Sequence, residues 1–413
     1  MRLEPVRGDG AREVLRALRS AIHGAGPAVA LGGTATARTS AAGWTGGGSG
    51  SSQTSDAGST SLGERTTGEV PAGTAVVLAT SGSTGHPKRV VLSRSALTAS
   101  ALATAARIGE GAWLLALPAT YIAGVQVLVR AIVSGREPAV LAGRFSPQAF
   151  AAAAATMASS ERGERVPAYT SLVPAQLQTL LDAADAGIRT GLTSFETVLV
   201  GGQSLAPALR ERAERAGVRL VRTYGSSETS GGCVYDGVAL DGVGMRIVDG
   251  EVQLSGPTLA DGYLDDPERT ASVFPCDADG TRWYRTGDAG EVSGGVLRVT
   301  GRLDNVIVSG GVNVSLDRVE QVVRTVPGLE HAVVVAVPDE RWGEASVIVV
   351  PGGALAGREP AALAAARTAV AAALGAPARP ARLVAVDAVP VLASGKPDLP
   401  ALRRIAGSAL PRS

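Results

Sequence analysis

The sequence predicts a layered α/β protein followed by a smaller α+β unit, and three observations carry that expectation. Short β-branched runs at 75–79, 196–200 and 219–222 alternate with Ala/Leu-rich stretches at 93–106, 147–159 and 174–186. That rhythm is the one of strands and helices around a largely parallel sheet. After about Gly237 the pattern changes to short alternating strands with glycine turns (245–248, 251–254, 295–299), which suits a small β-barrel-like or meander part. From Asp304 the order becomes strand, helix, strand, strand, helix, and the remaining 110 residues suffice for a small domain.

Taken in order, Val14, Leu15, Leu18 and Ile22 recur at helical spacing and predict an amphipathic helix over 11–22. Between residues 32 and 68 the composition collapses, with 25 of 37 positions Gly, Ser or Thr. Such a stretch lacks the apolar surface to offset its ordering entropy, so a flexible tether is expected. The mostly apolar run 112–133 raises the question of a membrane span. Pro118, Gly124, Gln126 and Arg130 interrupt it, so a buried strand, a loop at 118–121 and a buried helix fit better.

Composition closes several function classes. A net charge of +1 and 3% aromatic residues leave no broad surface for nucleic acid. Cys233 and Cys276 cannot build a disulfide framework or a zinc site, which suits a reducing compartment. With no apolar segment at the start, a cytoplasmic chain without membrane insertion is expected.

Lysine occurs only at Lys88 and Lys396, while arginine occurs 37 times. Arginine is a planar fork, whereas lysine is a compact ammonium suited to a phosphate oxygen in a narrow site. Both lysines stand near glycine, in Gly85-His86-Pro87-Lys88 and Gly395-Lys396-Pro397.

Five segments carry chemistry. Thr80-Ser81-Gly82-Ser83-Thr84-Gly85, followed by Lys88, combines hydroxyl donors, glycines that admit close backbone approach and one ammonium. These are the parts of a polyphosphate cradle. A helix does not follow the lysine directly, because 89–92 reads as a strand, so this is a strand-loop-strand cradle rather than the P-loop of NTPases. Thr223-Tyr224-Gly225-Ser226-Ser227-Glu228-Thr229 follows an apolar strand. There a tyrosine offers a face to a planar base and Glu228 a hard oxygen ligand for Mg²⁺. Thr286-Gly287-Asp288 places an acid where it could hold ribose hydroxyls. Gly301-Arg302 opens a segment running through Asp304 to Glu320, and Gly395-Lys396-Pro397 ends the set.

In this order the five segments resemble the adenylate-forming superfamily of acyl- and aryl-CoA synthetases, adenylation domains and luciferases, over roughly 75–402. The resemblance implies an N-terminal domain over 1–303 and a mobile C-terminal domain over 304–413, hinged at Asp304. It implies ATP, Mg²⁺ and CoA, with a small-molecule carboxylic acid activated as its adenylate before a thiol displaces AMP. Thr80, Ser81, Gly82, Ser83, Thr84, Gly85 and Lys88 would hold phosphates. Gly202, Gln203, Tyr224, Gly225 and Ser226 would frame the nucleotide, and Asp288 and Arg302 would grip the ribose. Glu228 would bind Mg²⁺, while Lys396, Glu228, Thr229 and Lys88 form the catalytic set. A homodimer is left open.

Within the superfamily the chain is most similar to the o-succinylbenzoate–CoA ligases of menaquinone biosynthesis, notably over 228–237. Tyr121, Ser171, Gly231, Gly232 and Val234 are the implied acid-binding positions, with Gln176 as a further polar group. The second carboxylate of such an acid needs a polar or cationic anchor, for which Arg130 and Arg222 are candidates. Two departures stand out: Tyr121 occupies a position where many relatives have histidine, and the Gly/Ser-rich tether replaces elements of longer relatives. Another aryl- or acyl-CoA ligase, or a non-catalytic nucleotide-binding or carrier-loading protein, are the alternative readings.

Overall fold

The computed structural model describes the chain except residues 7–9, 33–67, 81–87, 158–159, 162, 184, 340–341, 356, 393–395 and 409–413. Most of the Gly/Ser-rich tether, and Ser81 to Gly85 of the cradle, thus lie outside the described residues.

Instead of one largely parallel sheet, the first part of the chain builds two mixed sheets. In one, Arg2–Pro5, Ala28–Leu31 and Thr74–Thr80 run parallel, while Lys88–Ser93 turns back antiparallel to Thr74–Thr80. Gly262–Tyr263 then joins Lys88–Ser93 at the edge, with Tyr263 opposite Val90. In the other, Ala139–Val140, Ala112–Leu115, Ala168–Leu172, Thr197–Val200 and Leu220–Ser226 are parallel neighbours. Gly231–Tyr235 reverses direction beside Leu220–Ser226. Two antiparallel edges are what the alternating pattern at 75–92 and 220–235 could not reveal, because a β-branched run reads alike in either direction.

The predicted helix over 11–22 forms as Ala11–Ile22 and buries Val14, Leu15, Leu18 and Ala21. Ser93 caps the next helix, Arg94–Ile108, its hydroxyl accepting the Ala96 N–H at 3.2 Å. The apolar run at 112–133 resolves into the strand Ala112–Leu115, a loop, and the helix Ile122–Val133, nearly all of it buried. No described helix is long and apolar enough to cross a membrane. Gly124 is required there, since a Cβ would stand 2.1 Å from the Pro118 carbonyl oxygen. The main core joins Val76 and Leu92 of one sheet to Trp113 and Leu199 of the other around Val125, Leu128 and Val129. On the far face of the second sheet, Leu114, Val198 and Leu220 pack on Phe150, Leu177 and Leu192.

The helix expected over 174–186 is shorter, Pro174–Asp182, and a further helix, Ala186–Thr193, begins where the Asp185 carboxylate accepts the Gly187 N–H at 2.6 Å.

The next part takes the meander form: Gly244–Val248, Glu251–Ser255, Trp283–Ser293 and Val296–Arg302 in an antiparallel four-stranded sheet. After Asp304, Val306–Ser309, Val312–Ser315, Val333–Asp339, Gly343–Pro351 and Arg382–Val386 form a five-stranded sheet. Helices Leu316–Val323, Glu359–Leu374 and Leu399–Ser408 cover it. Its two cores draw only on residues from 307 onward.

Candidate active site

Leu220–Ser226 runs out of the parallel sheet into a short 3-10 turn, Ser227–Thr229, and Gly231–Tyr235 returns alongside. Gly225 must lack a side chain, because a Cβ would lie 2.1 Å from the Gly231 carbonyl oxygen. The turn is braced from within. The Thr229 hydroxyl donates to the Gly231 carbonyl at 2.7 Å and accepts the Ser226 N–H at 2.9 Å, fully buried. The Thr229 hydroxyl, expected in the catalytic set, is bonded to the loop backbone and shapes the turn.

The turn presents Glu228, which is 7% exposed. Its carboxylate accepts a hydrogen bond from the Tyr263 hydroxyl at 2.9 Å. Among the described residues no cationic side chain pairs with it within salt-bridge distance. A buried carboxylate without a cationic partner is costly, and so invites a cation. No group of three or more His, Cys, Asp or Glu side chains able to hold a metal occurs among the described residues. One carboxylate beside a phosphate cradle is instead a donor set suited to Mg²⁺, which is commonly held by one or two carboxylates plus substrate phosphates. Tyr263, Phe274 and Tyr284 form an aromatic wall nearby, with centroid separations of 5.9 and 5.3 Å. Burial, then the Glu228 charge, holds the Tyr263 phenol above its ordinary pKa.

A cleft opens beside this turn, lined by Tyr224, Gly225, Ser226, Leu254, Tyr284, Thr286, Asp288 and Arg302. Asp288 lies in the strand Trp283–Ser293. It accepts the Tyr224 hydroxyl at 2.6 Å and an Arg302 N–H at 3.1 Å. Burial raises its pKa, while Tyr224 and Arg302 pull it back down. Arg302 also donates to the Thr286 carbonyl at 2.9 Å and, at 3.0 and 3.1 Å, to both oxygens of Asp304. Sequence reading missed Glu251, whose buried carboxylate accepts the Gly287 N–H at 3.0 Å and Arg285 Nε at 2.9 Å, fixing the strand just before Asp288.

Lysine 88 begins the strand Lys88–Ser93, opposite Thr80, with its ammonium 5.6 Å from the Tyr263 ring centroid. Lys396 comes from the far end of the chain. Desolvation lowers its pKa, and the charges of Asp288 and Glu228 raise it in opposition. Its side chain remains accessible to solvent.

On the other side of the turn, the helix Ile122–Val133 lies along Gly231–Tyr235. Ile122, Gln126 and Arg130 follow at four-residue spacing and share one helix face. A Cβ on Gly231 would meet Gln126 Cγ at 3.1 Å and Ile122 Cγ1 at 3.8 Å. Arg130 donates to the Tyr235 hydroxyl at 3.2 Å, sits over Trp113 at 4.9 Å, and lines a second cleft. It is 6% exposed, and burial lowers its pKa. Gln126 Oε1, Arg130 Nε and Ser230 Oγ are buried without a hydrogen-bond partner among the described residues. Gln126 and Ser230 carried no sequence signal, being ordinary polar residues within apolar or Ser/Gly-rich runs.

Of the remaining expected positions, Tyr121 precedes that helix, 37% exposed, with burial raising its pKa. Ser171 is buried near the end of Ala168–Leu172, and Gly202 has φ +82° just after Thr197–Val200. Val234 is buried and pairs with Tyr224, as Gly232 does with Gly225. The Gln176 amide is committed to the backbone, donating to the Ala116 carbonyl at 2.9 Å and accepting the Val173 N–H at 3.1 Å. Arg222 is exposed.

Comparison with known proteins agrees with this architecture. The AMP-binding enzyme model matches residues 30–264, and the model for the C-terminal domain of AMP-binding enzymes matches residues 318–396. A probable 2-succinylbenzoate–CoA ligase from Mycobacterium tuberculosis is 40% identical over 81% of this chain and 85% of its own length. A medium/long-chain-fatty-acid–CoA ligase from the same species is 34% identical over 78% of this chain and 60% of its own length. Among solved structures, o-succinylbenzoate CoA synthetase from Bacillus subtilis, in complex with the acyl-adenylate intermediate, aligns with a TM-score of 0.63 at 26% identity. That alignment covers 80% of this chain and 69% of the other. The two antiparallel-edged sheets, the braced turn at Glu228 and these matches lead to one conclusion: the chain belongs to the AMP-binding enzyme family.

Proposed function

We propose that the protein is an ATP-dependent, AMP-forming carboxylate–CoA ligase whose acid is 2-succinylbenzoate. The observation that supports this reading is the cleft in which Asp288 is held by Tyr224 and Arg302 beside the turn that carries the buried Glu228. The acid's carboxylate attacks the α-phosphorus of ATP, forming the acyl–phosphate bond as the bond to diphosphate breaks. CoA thiol then attacks the acyl carbon, and AMP leaves.

The carboxylate is already a nucleophile, so no general base is required. Catalysis reduces to positioning and to offsetting charge that gathers on the phosphoryl oxygens. Asp288 holds ribose hydroxyls, with Arg302 and Tyr224 keeping it in place. Lys88 and the hydroxyl-rich segment from Thr80 bind the outer phosphates, and Lys396 meets the α-phosphate and the reacting carboxylate. Glu228 holds Mg²⁺, which when bound neutralises phosphate charge. The acid lies along Ile122, Gln126 and Gly231, and Arg130 anchors its second carboxylate. A buried guanidinium whose Nε has no partner among the described residues is a fitting receptor for an anion, and a better one than exposed Arg222. The chain works as two bodies divided at Asp304, the small one turning after adenylation.

Diphosphate release with a panel of acids, followed by CoA thioester formation, tests this reading. Turnover that favours 2-succinylbenzoate supports it. Turnover only with other acids would reassign the substrate, and none with any acid would remove the activity.

A further inference from the structure

Glu228 lies in the turn that follows one sheet's strand and Lys88 begins a strand of the other sheet, and one side chain reaches both. Tyr263 lies on the edge strand Gly262–Tyr263, hydrogen-bonded to the strand that Lys88 begins. Its hydroxyl donates to Glu228 Oε1 at 2.9 Å, and its ring centroid lies 5.6 Å from the Lys88 ammonium. The same stretch is tied to the turn by its backbone, the Ala260 N–H reaching the Glu228 carbonyl at 2.8 Å. Tyr263 is 6% exposed, packs on Phe274 and donates its own N–H to Thr270 Oγ1 at 2.9 Å, so the ring has a fixed place. Arg269 lies 5.8 Å from the same ring.

We infer that Tyr263 is a positioning residue for the metal–triphosphate complex, orienting the Glu228 carboxylate and seating Lys88. The inference rests on the reading of Glu228 as the Mg²⁺ ligand. Engaging Oε1 fixes the carboxylate plane and leaves Oε2, which has no partner among the described residues, to face the cation. An unrestrained carboxylate would lose side-chain rotational freedom on each binding event, a cost the tyrosine removes in advance. The ring face separately holds the ammonium by cation–π attraction. The two halves of the side chain therefore act on different groups: the hydroxyl on the metal ligand, the ring on the phosphate-binding lysine.

Titration calorimetry on the full chain separates these roles, with ATP added either in excess Mg²⁺ or in EDTA. Tyr263→Phe keeps the ring and its packing, and is expected to weaken binding of Mg·ATP about tenfold while leaving metal-free ATP unchanged, the size expected for losing a hydrogen bond to a charged group. Tyr263→Leu removes the ring as well and is expected to weaken metal-free ATP too. Glu228→Gln serves as control. If it loses no Mg²⁺-dependent affinity, the assignment of Glu228 fails. If it does while Tyr263→Phe binds Mg·ATP like the wild type, or loses both forms equally, the inference about Tyr263 is overturned. Thermal melting of each variant identifies any that has merely lost its fold.

Discussion

The Asp317 carboxylate accepts the backbone N–H of Arg302 at 2.6 Å, across the short segment that contains Asp304. Its other oxygen accepts the Asn305 side-chain amide at 2.8 Å. Asp317 stands in the first turn of Leu316–Val323, whereas Arg302 ends Val296–Arg302. The contact thus clasps the two sides of the proposed hinge. Asp317→Ala should release the clasp. The ratio of adenylate formation to thioester formation, measured as separate half-reactions, is expected to fall about tenfold, the effect of one charge-assisted hydrogen bond. An unchanged ratio would mean the clasp does not bias the arrangement.

Lys396→Ala should abolish adenylate formation yet leave thioester formation from supplied acyl-adenylate largely intact. Comparable loss in both half-reactions would argue against a turning C-terminal part.

The pH dependence of adenylation should reflect two shifted groups. Lys396 has a lowered pKa, chiefly through desolvation, so its charge and the rate should decline as pH rises through a value below the ordinary 10.5. Asp288 has a pKa raised by burial, so ATP binding should weaken as pH falls through a value above the ordinary 3.8. Asp288→Asn should remove the acid limb. Adenylation rates at varied pH and ATP concentration check both limbs.

Arg130→Met should raise KM for 2-succinylbenzoate about tenfold or more, while KM for ATP stays put. An analogue lacking the ring carboxylate should be used equally by both proteins. A similar rise for both acids would mark Arg130 as a packing residue for the Tyr235 and Trp113 contacts.

Asp288→Ala should abolish discrimination between ATP and its 2′,3′-dideoxy form. Competition between the two nucleotides in diphosphate release gives the ratio directly.

Much of this was legible in the chain. Helix Ala11–Ile22 follows from four apolar residues at helical spacing, and the strand-loop-helix at 112–133 from Pro118 and Gly124. The cleft residues Tyr224, Asp288 and Arg302 were legible because glycines and acids cluster around them. Other features needed three dimensions. The strand Trp283–Ser293 was hidden by its polar, glycine-containing sequence, and Arg382–Val386 by its position between proline-rich turns. Glu251 and Asp317 bond to backbone N–H groups 36 and 15 residues away, a pairing no local pattern encodes.

The helix Ile122–Val133 has an evolutionary consequence. Its Ile122–Gln126–Arg130 face meets Gly231 and Tyr235, whereas Tyr224, Asp288 and Arg302 belong to other elements. Under the proposed assignment, exchanges along that single stripe would redirect acid preference while the nucleotide grip drifts little, so new ligases would diverge from this scaffold by short mutational walks.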